Sequence, residues 1–239
     1  MSFAYSPQYQ YIMYYNAKSG CSTWRQLFLY LHKNEVKKIS NGHHRIRKDF
    51  PKPNNIPRNI RNIMVVRNPF SRVVSMYTNR YNNPKSGNRL IYRKLKNTNL
   101  VNTNESISFR KFVNILFELD NMNKINSFNE HVYKQTRLLQ NNTRIVKLEN
   151  FNTDIKQAYI DIGLEELVHN IQIFLDKNNT HVNTTIKTNE TEFVGDKIYK
   201  INNDKFPNYK YFYDEDIKNK VIKIYKDDFI KFNYDTNLL

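Results

Sequence analysis

Two short segments constrain this chain more than anything else in its sequence. The first is Tyr15-Asn16-Ala17-Lys18-Ser19-Gly20-Cys21-Ser22-Thr23-Trp24-Arg25. The second, about fifty residues later, is Val65-Val66-Arg67-Asn68-Pro69-Phe70-Ser71-Arg72-Val73-Val74-Ser75. Each reads as a β-strand that runs into a turn and then a helix, with cationic and hydroxyl side chains at the turn. Helix N-termini offer unpaired N–H donors and the positive end of a dipole, so such turns hold phosphates. Two of them in one chain point to one ligand with phosphate groups at both ends.

The flanking patterns support that reading. Tyr9–Tyr15 is an aromatic and β-branched run, and Ile63–Val66 is a second apolar run; both predict buried strands. Trp24, Leu27, Phe28 and Leu31 recur at helical spacing. Asn68 and Pro69 form a helix start, an N-cap followed by proline at the first helical position. Further on, the periodicity predicts helices over Ile107–Leu119, over 128–140 and after Phe151, a final helix or helix pair over Tyr211–Ile230, and a short core strand at Arg144–Leu148. Strands alternating with helices predict an α/β fold, a central parallel β-sheet flanked by helices, in one domain spanning 1–239. Residues 82–104 are polar and read as a surface excursion. His32 reads as helix surface.

Charge singles out the same region. Residues 1–100 carry 19 Lys and Arg against 2 acids, a net +17, while the remaining residues carry 19 against 20. An anionic ligand is the simplest partner for such a half. The lone cysteine, Cys21, precludes an intramolecular disulfide. No run of about eighteen apolar residues is present and residues 1–6 lack the features of a signal peptide. The expectation is a soluble intracellular protein; residence in the Golgi lumen would require a leader or anchor beyond this sequence.

Spacing excludes three phosphate-handling chemistries. A Walker loop needs its lysine after the second glycine, whereas Lys18 precedes Gly20. A cysteine-phosphatase loop needs five residues between Cys and Arg, and Arg25 stands only four positions after Cys21. A dinucleotide fingerprint needs three spaced glycines, absent from a chain with 5 in all. What remains at the first turn is a donor set, Lys18, Ser19, Gly20, Ser22 and Thr23, or a plain tight turn with a Ser/Thr cap. At the second turn, Arg67 ends a strand while Ser71 and Ser75 lie one turn apart on the following helix. A strand-end Arg with a helix Ser suits a phosphate monoester, which takes a charged fork plus a hydroxyl. An ordinary Arg–carboxylate pair is the alternative, and acids are scarce here.

Lys18 to Arg25 resembles the 5′-phosphosulfate loop of carbohydrate sulfotransferases. Arg67 to Tyr77 is similar to their 3′-phosphate motif, Arg-x-Pro-x-x-Arg-x-x-Ser-x-Tyr. The nearest likeness is to the Golgi membrane-bound class with the heparan 2-O- and chondroitin 4-O-type enzymes. Arg144–Phe151 resembles that family's strand before a Glu-Asn/Thr-Leu turn, and His181–Thr185 its late nucleotide loop. The resemblance implies a P-loop-kinase-like sulfotransferase fold and 3′-phosphoadenosine 5′-phosphosulfate (PAPS) as donor, with no metal. It implies that Lys18, Ser19, Gly20, Cys21, Ser22 and Thr23 take the 5′-phosphosulfate, that Trp24, Asn183 and Thr184 lie by the nucleotide, and that Arg67 and Ser75 take the 3′-phosphate.

Transfer to a hydroxyl calls for a base, and histidine is best poised near neutral pH. Asn41–Phe50 resembles the His-Gly-His segment of the heparan 2-O-type enzymes and aligns His43 with the base; Asn41 stands where their first histidine does. Asn129–Gln135 resembles the His-Trp-x-x-Gln segment near the acceptor, with Val132 and Tyr133 departing from it and His131 as the candidate. His44, Glu35 and Asp49 complete the set. Arg45, Arg47 and Lys48, with His44, form a basic stretch suited to an anionic or neutral glycan acceptor. A protein tyrosine, a small alcohol, or a nucleic-acid-binding role without catalysis are the alternatives; the last lacks a stacking or recognition-helix motif.

Overall fold

The computed structural model describes residues 3–33, 50, 57, 59–78, 106–177, 192–199 and 206–237. In chain order the strands and α-helices are β1 (Phe3–Ser6), β2 (Tyr11–Tyr15), α1 (Cys21–Lys33), β3 (Arg61–Val66), α2 (Pro69–Met76), α3 (Phe109–Asn121), α4 (Ile125–Phe128), β4 (Thr143–Lys147), α5 (Phe151–Asp161), α6 (Val168–Lys177), α7 (Glu215–Ile224) and α8 (Lys226–Lys231). They group into two compact units, Met1–Arg67 with Leu138–Val182, and Asn68–Arg137 with Asn183–Leu239.

The first unit holds a four-stranded sheet in the order β1-β2-β3-β4. β2 pairs parallel with β3, Tyr11 opposite Arg61 through Tyr15 opposite Val65, and β3 pairs parallel with β4. Parallel strands need crossovers, and α1 supplies that between β2 and β3. One sheet face presents Tyr11, Met13, Tyr15, Ile63, Val65 and Val146 to a core shared with Trp24, Leu27 and Phe28 of α1 and Phe151, Ile155 and Tyr159 of α5. Burying a large apolar side chain of this kind contributes about 1.5–3 kcal/mol. The Tyr159 hydroxyl donates to the Tyr11 hydroxyl at 2.8 Å, and burial pushes both phenols up.

The architecture is the α/β sheet flanked by helices expected from the sequence, with differences at its edges. The run Tyr9–Tyr15 does not form one strand. Tyr9 and Gln10 lie in the turn of a hairpin, Gln10 at φ 50, and β1 pairs antiparallel with β2 as an additional edge strand. β1 has only four residues, too few for a period-2 signal. β4 is the opposite edge rather than a core strand: only Val146 of it is fully buried. His32 is not simply helix surface. Its ring is half-buried, stacked on Phe28 at 4.2 Å, with Nδ1 2.6 Å from the Phe28 carbonyl and Nε2 2.7 Å from the Ser6 hydroxyl.

The second unit is helical. Phe70, Val73, Val74 and Tyr77 pack with Phe109, Phe112 and Leu116 of α3 and with Ile217, Val221 and Phe229 of α7 and α8. Helix α3 starts where Ser108 accepts from the Lys111 N–H, and α7 where Asp214 accepts from that of Ile217. The helix or helix pair expected over Tyr211–Ile230 is a pair, α7 and α8, and a 3₁₀ turn at Tyr209–Phe212 precedes the Asp214 cap. The helix expected over 128–140 is absent. That stretch has a 3₁₀ turn at Gln135–Leu138, and buried side chains hold its backbone in place of helical bonds. The excursion 82–104 lies outside the described residues.

Candidate functional site

The chain leaves the buried strand β2 at Tyr15 and enters α1 at Cys21. Five residues bridge the two, and two of them adopt left-handed backbone: Lys18 and Gly20, each at φ 70. For lysine that conformation is strained, because its Cβ crowds the carbonyl. The turn is tied internally. The Asn16 carbonyl accepts from the Ser19 N–H at 3.2 Å and from the Cys21 thiol at 2.9 Å, and the Gly20 carbonyl accepts the first helical bond, from Trp24 N–H at 3.2 Å. Cys21 thus closes the loop.

Gly20 is required for a reason the sequence did not disclose. A Cβ there would stand 2.5 Å from Leu148 Cδ1, so the side chain after β4 fills the space beside the bare Cα. Ser19 is fully enclosed, Cys21 and Thr23 are half-buried, and Ser22 is exposed. Helix geometry leaves the N–H groups of Cys21, Ser22 and Thr23 without intrahelical acceptors. The first turn of α1 contains no acid that could occupy them. Such a helix start favours an anion.

Arg67 follows β3 directly and is half-buried. Its Nη1 donates to the backbone carbonyl of Lys18 at 3.2 Å, so the two turns singled out in the sequence are joined through the strained residue of the first. Beyond Arg67 the N-cap forms as expected: Asn68 Oδ1 accepts from Phe70 N–H at 2.9 Å and Pro69 opens α2. Ser75 lies half-buried on α2, in the second unit.

Arg72 stands in the same motif but is buried, at 1% exposure. It donates to the carbonyls of Tyr133 at 3.0 Å and His131 at 3.2 Å. Tyr225 donates to the Val132 carbonyl between them, and the buried Asp228 accepts from the N–H groups of Gln135 and Thr136. Burial pushes the Asp228 carboxyl up, and the nearby Arg72 charge and these N–H donors pull it back. The segment carrying His131 is therefore pinned by three buried polar side chains. Within it, Asn129 Oδ1 accepts from the His131 backbone N–H at 3.0 Å and lies 2.7 Å from His131 Nδ1. An amide oxygen accepts, so Nδ1 donates here, and in the neutral ring Nε2 holds the lone pair.

His43, His44, Arg45, Arg47, Lys48, Asn183 and Thr184 lie outside the described residues. Trp24 is fully buried against Tyr15, ring centroids 4.4 Å apart. Sequence reasoning missed the clamp on 131–136, because neither Tyr225 nor Asp228 carries a local signal. It also passed over Arg25, a charged residue one turn after Cys21 on an otherwise apolar helix face.

The whole chain except its last residues, 1–235, matches the family model described as Sulfotransferase family. The chain belongs to the sulfotransferase family. It has no match among curated proteins or solved structures. Membership makes it an enzyme of sulfate transfer. Among the described residues of this sulfotransferase, no group of three or more His, Cys, Asp and Glu could hold a metal ion, and no helix is long and apolar enough to cross a membrane.

Proposed function

We propose that this sulfotransferase uses PAPS as donor and acts on a hydroxyl of a carbohydrate acceptor. The observation that carries the reading is the bond from Arg67 to the Lys18 carbonyl. It couples a guanidinium suited to a phosphate monoester with a left-handed turn at an acid-free helix start. The donor supplies the sulfuryl group, and the acceptor oxygen attacks sulfur in line with the departing bridging oxygen.

In such a transfer the protein chiefly positions groups and stabilises charge. Lys18, Ser22, Thr23 and the first N–H groups of α1 receive the 5′-phosphosulfate, and the Lys18 ammonium balances charge on the leaving oxygen. Arg67 and Ser75 receive the 3′-phosphate. A guanidinium carries five N–H donors, so a bond to one carbonyl does not exhaust it. Asn183 and Thr184 attend the nucleotide. The base comes from two histidines, His43 first and His131 second, the latter with Nε2 in the form that accepts a proton. Arg45, Arg47 and Lys48, beside His43 and His44, favour an acceptor bearing carboxylate or sulfate groups.

The test is a thermal-shift titration with adenosine 3′,5′-bisphosphate. A ligand that binds the folded state must raise the melting temperature. A rise that saturates is the expected result; no rise at millimolar ligand would remove PAPS from the reading. Release of the bisphosphate on adding heparosan or chondroitin, against a tyrosine peptide and a small phenol, then identifies the acceptor class.

A further inference from the structure

Four buried side-chain atoms among the described residues are without a hydrogen-bond partner: Asn16 Nδ2, Trp24 Nε1, Arg25 Nη1 and Asn62 Oδ1. Buried polar atoms in native proteins are nearly all satisfied, so each exception asks for an account. Three of the four fall within Asn16–Arg25, and all three are donors. Unsatisfied donors thus cluster around the start of α1.

Arg25 is the most telling. Its residue is only 9% exposed, and burial penalises its charge. Helical side chains lean toward the N-terminus, so a residue one turn into α1 reaches back to the helix start. Arg25 does so. Its Nε donates to the carbonyl of Cys21, the first residue of α1, and its guanidinium lies 5.9 Å from the ring centroid of Tyr15, the last residue of β2. The fork therefore sits beneath the turn that links strand to helix. Asn16, 4% exposed, is tied to the same point, because its carbonyl receives the Cys21 thiol.

We propose that Arg25, with the Asn16 amide, forms the inner wall of the anion cradle at residues 18–23 and donates to an oxygen at the 5′-phosphate end of the nucleotide. This rests on the PAPS reading above and adds a buried guanidinium to the ligands expected from the sequence. A guanidinium suits the role because it stays charged where burial would neutralise an amine, and its planar fork matches a tetrahedral oxyanion.

The experiment compares wild type, Arg25→Met, Arg25→Lys and Asn16→Ala by melting temperature and by titration with adenosine 3′,5′-bisphosphate, adenosine 3′-monophosphate and pyrophosphate. Without ligand, Arg25→Met melts no lower than wild type, since an apolar side chain replaces an unpaired buried charge. It binds the bisphosphate about 10- to 100-fold more weakly, the worth of a hydrogen bond to a charged group, and binds the 3′-monophosphate as wild type does. Arg25→Lys restores part of the loss, and Asn16→Ala shows a smaller one. An Arg25→Met protein that fails to fold, melts well below wild type, or loses both nucleotides equally gives Arg25 a structural role and overturns the proposal. So does an Arg25→Lys protein with unchanged bisphosphate affinity. If wild type ignores both nucleotides yet is stabilised by pyrophosphate, and Arg25→Met removes that, the PAPS reading falls and the cradle stands. If no probe stabilises wild type, both fall.

Discussion

Arg67 Nη1 donates to the backbone carbonyl of Lys18 across 3.2 Å, linking residues 49 positions apart in the chain. Lys18 holds φ 70, a conformation that costs a non-glycine residue about 1–2 kcal/mol. A charged donor on its carbonyl contributes a comparable amount, so the arginine stabilises the turn that the lysine strains. Strain of this kind persists only where the surroundings over-determine it.

Arg67 is therefore expected to matter twice, for the shape of the turn and for the nucleotide. Arg67→Ala should weaken adenosine 3′,5′-bisphosphate binding by about 10- to 100-fold, the loss of one hydrogen bond to a charged group. Arg67→Lys should recover little, because an ammonium cannot present a fork to the carbonyl and to a phosphate together. Calorimetric titration of the three proteins checks this; wild-type affinity in Arg67→Ala would detach the residue from the site.

Gly20 gives a stability prediction that separates two causes. Gly20→Ala meets a left-handed φ of +70 and a contact of 2.5 Å with Leu148 Cδ1. The backbone part costs about 1–2 kcal/mol, and the overlap adds about 1–3 kcal/mol as overpacking does. In the Leu148→Ala background the same substitution should cost only the backbone part. Urea midpoints of the four proteins measure the coupling. Additive effects would show that Leu148 moves aside freely.

The elements around Gly20 were legible because local chemistry fixes them. β-Branched and aromatic residues specified β2 and β3, helical spacing specified α1, and Asn68 with Pro69 marked the start of α2. What escaped depended on partners remote in sequence. The Leu148 contact with Gly20 arises from β4, and the helical pattern near His131 gave way to the Arg72, Tyr225 and Asp228 bonds. β1 was too short to show an alternation. In the same way the sequence could point to Lys18 and Arg67 as ligands, but not to the carbonyl bond that joins them.

Arg72 should prove structural although it lies inside the nucleotide-like motif. Replacing it by methionine leaves the partly buried carbonyls of His131 and Tyr133 without these donors and strips Asp228 of a nearby positive charge. Removing one member of a buried charged network costs about 3–5 kcal/mol. The urea midpoint should fall accordingly. Arg72→Met with Asp228→Asn should cost less than the two changes summed, since the first removes the charge that the second no longer needs.

His32 gives the pH dependence its sign. Burial lowers its pKa, although the bond to the Phe28 carbonyl opposes this. The folded state therefore prefers the neutral ring, while the unfolded chain titrates near 6.5. The contribution is fully present above about pH 6.5 and is lost as pH falls through the lower folded value. Wild type should lose more stability between pH 7.5 and 5 than His32→Gln, measured by urea unfolding at each pH. Parallel curves would show that other groups carry the acid sensitivity.

Binding and chemistry should come apart at the histidines. His43→Ala is expected to keep the bisphosphate-induced thermal shift, since the residue is not among the donor's ligands, and to lower turnover by about 10²- to 10⁴-fold, the contribution of a positioned base. His131→Ala should keep the shift too, and its turnover decides between the two candidates. If His131→Ala is the inactive protein, the base is Nε2 of a ring whose tautomer Asn129 fixes through Nδ1. In that case Asn129→Leu should lower kcat with KM nearly unchanged, because the wrong nitrogen would then carry the proton for part of the population. If both alanine variants turn over normally, the proton leaves by neither of these histidines, and His44 with the carboxylates of Glu35 and Asp49 become the groups to replace.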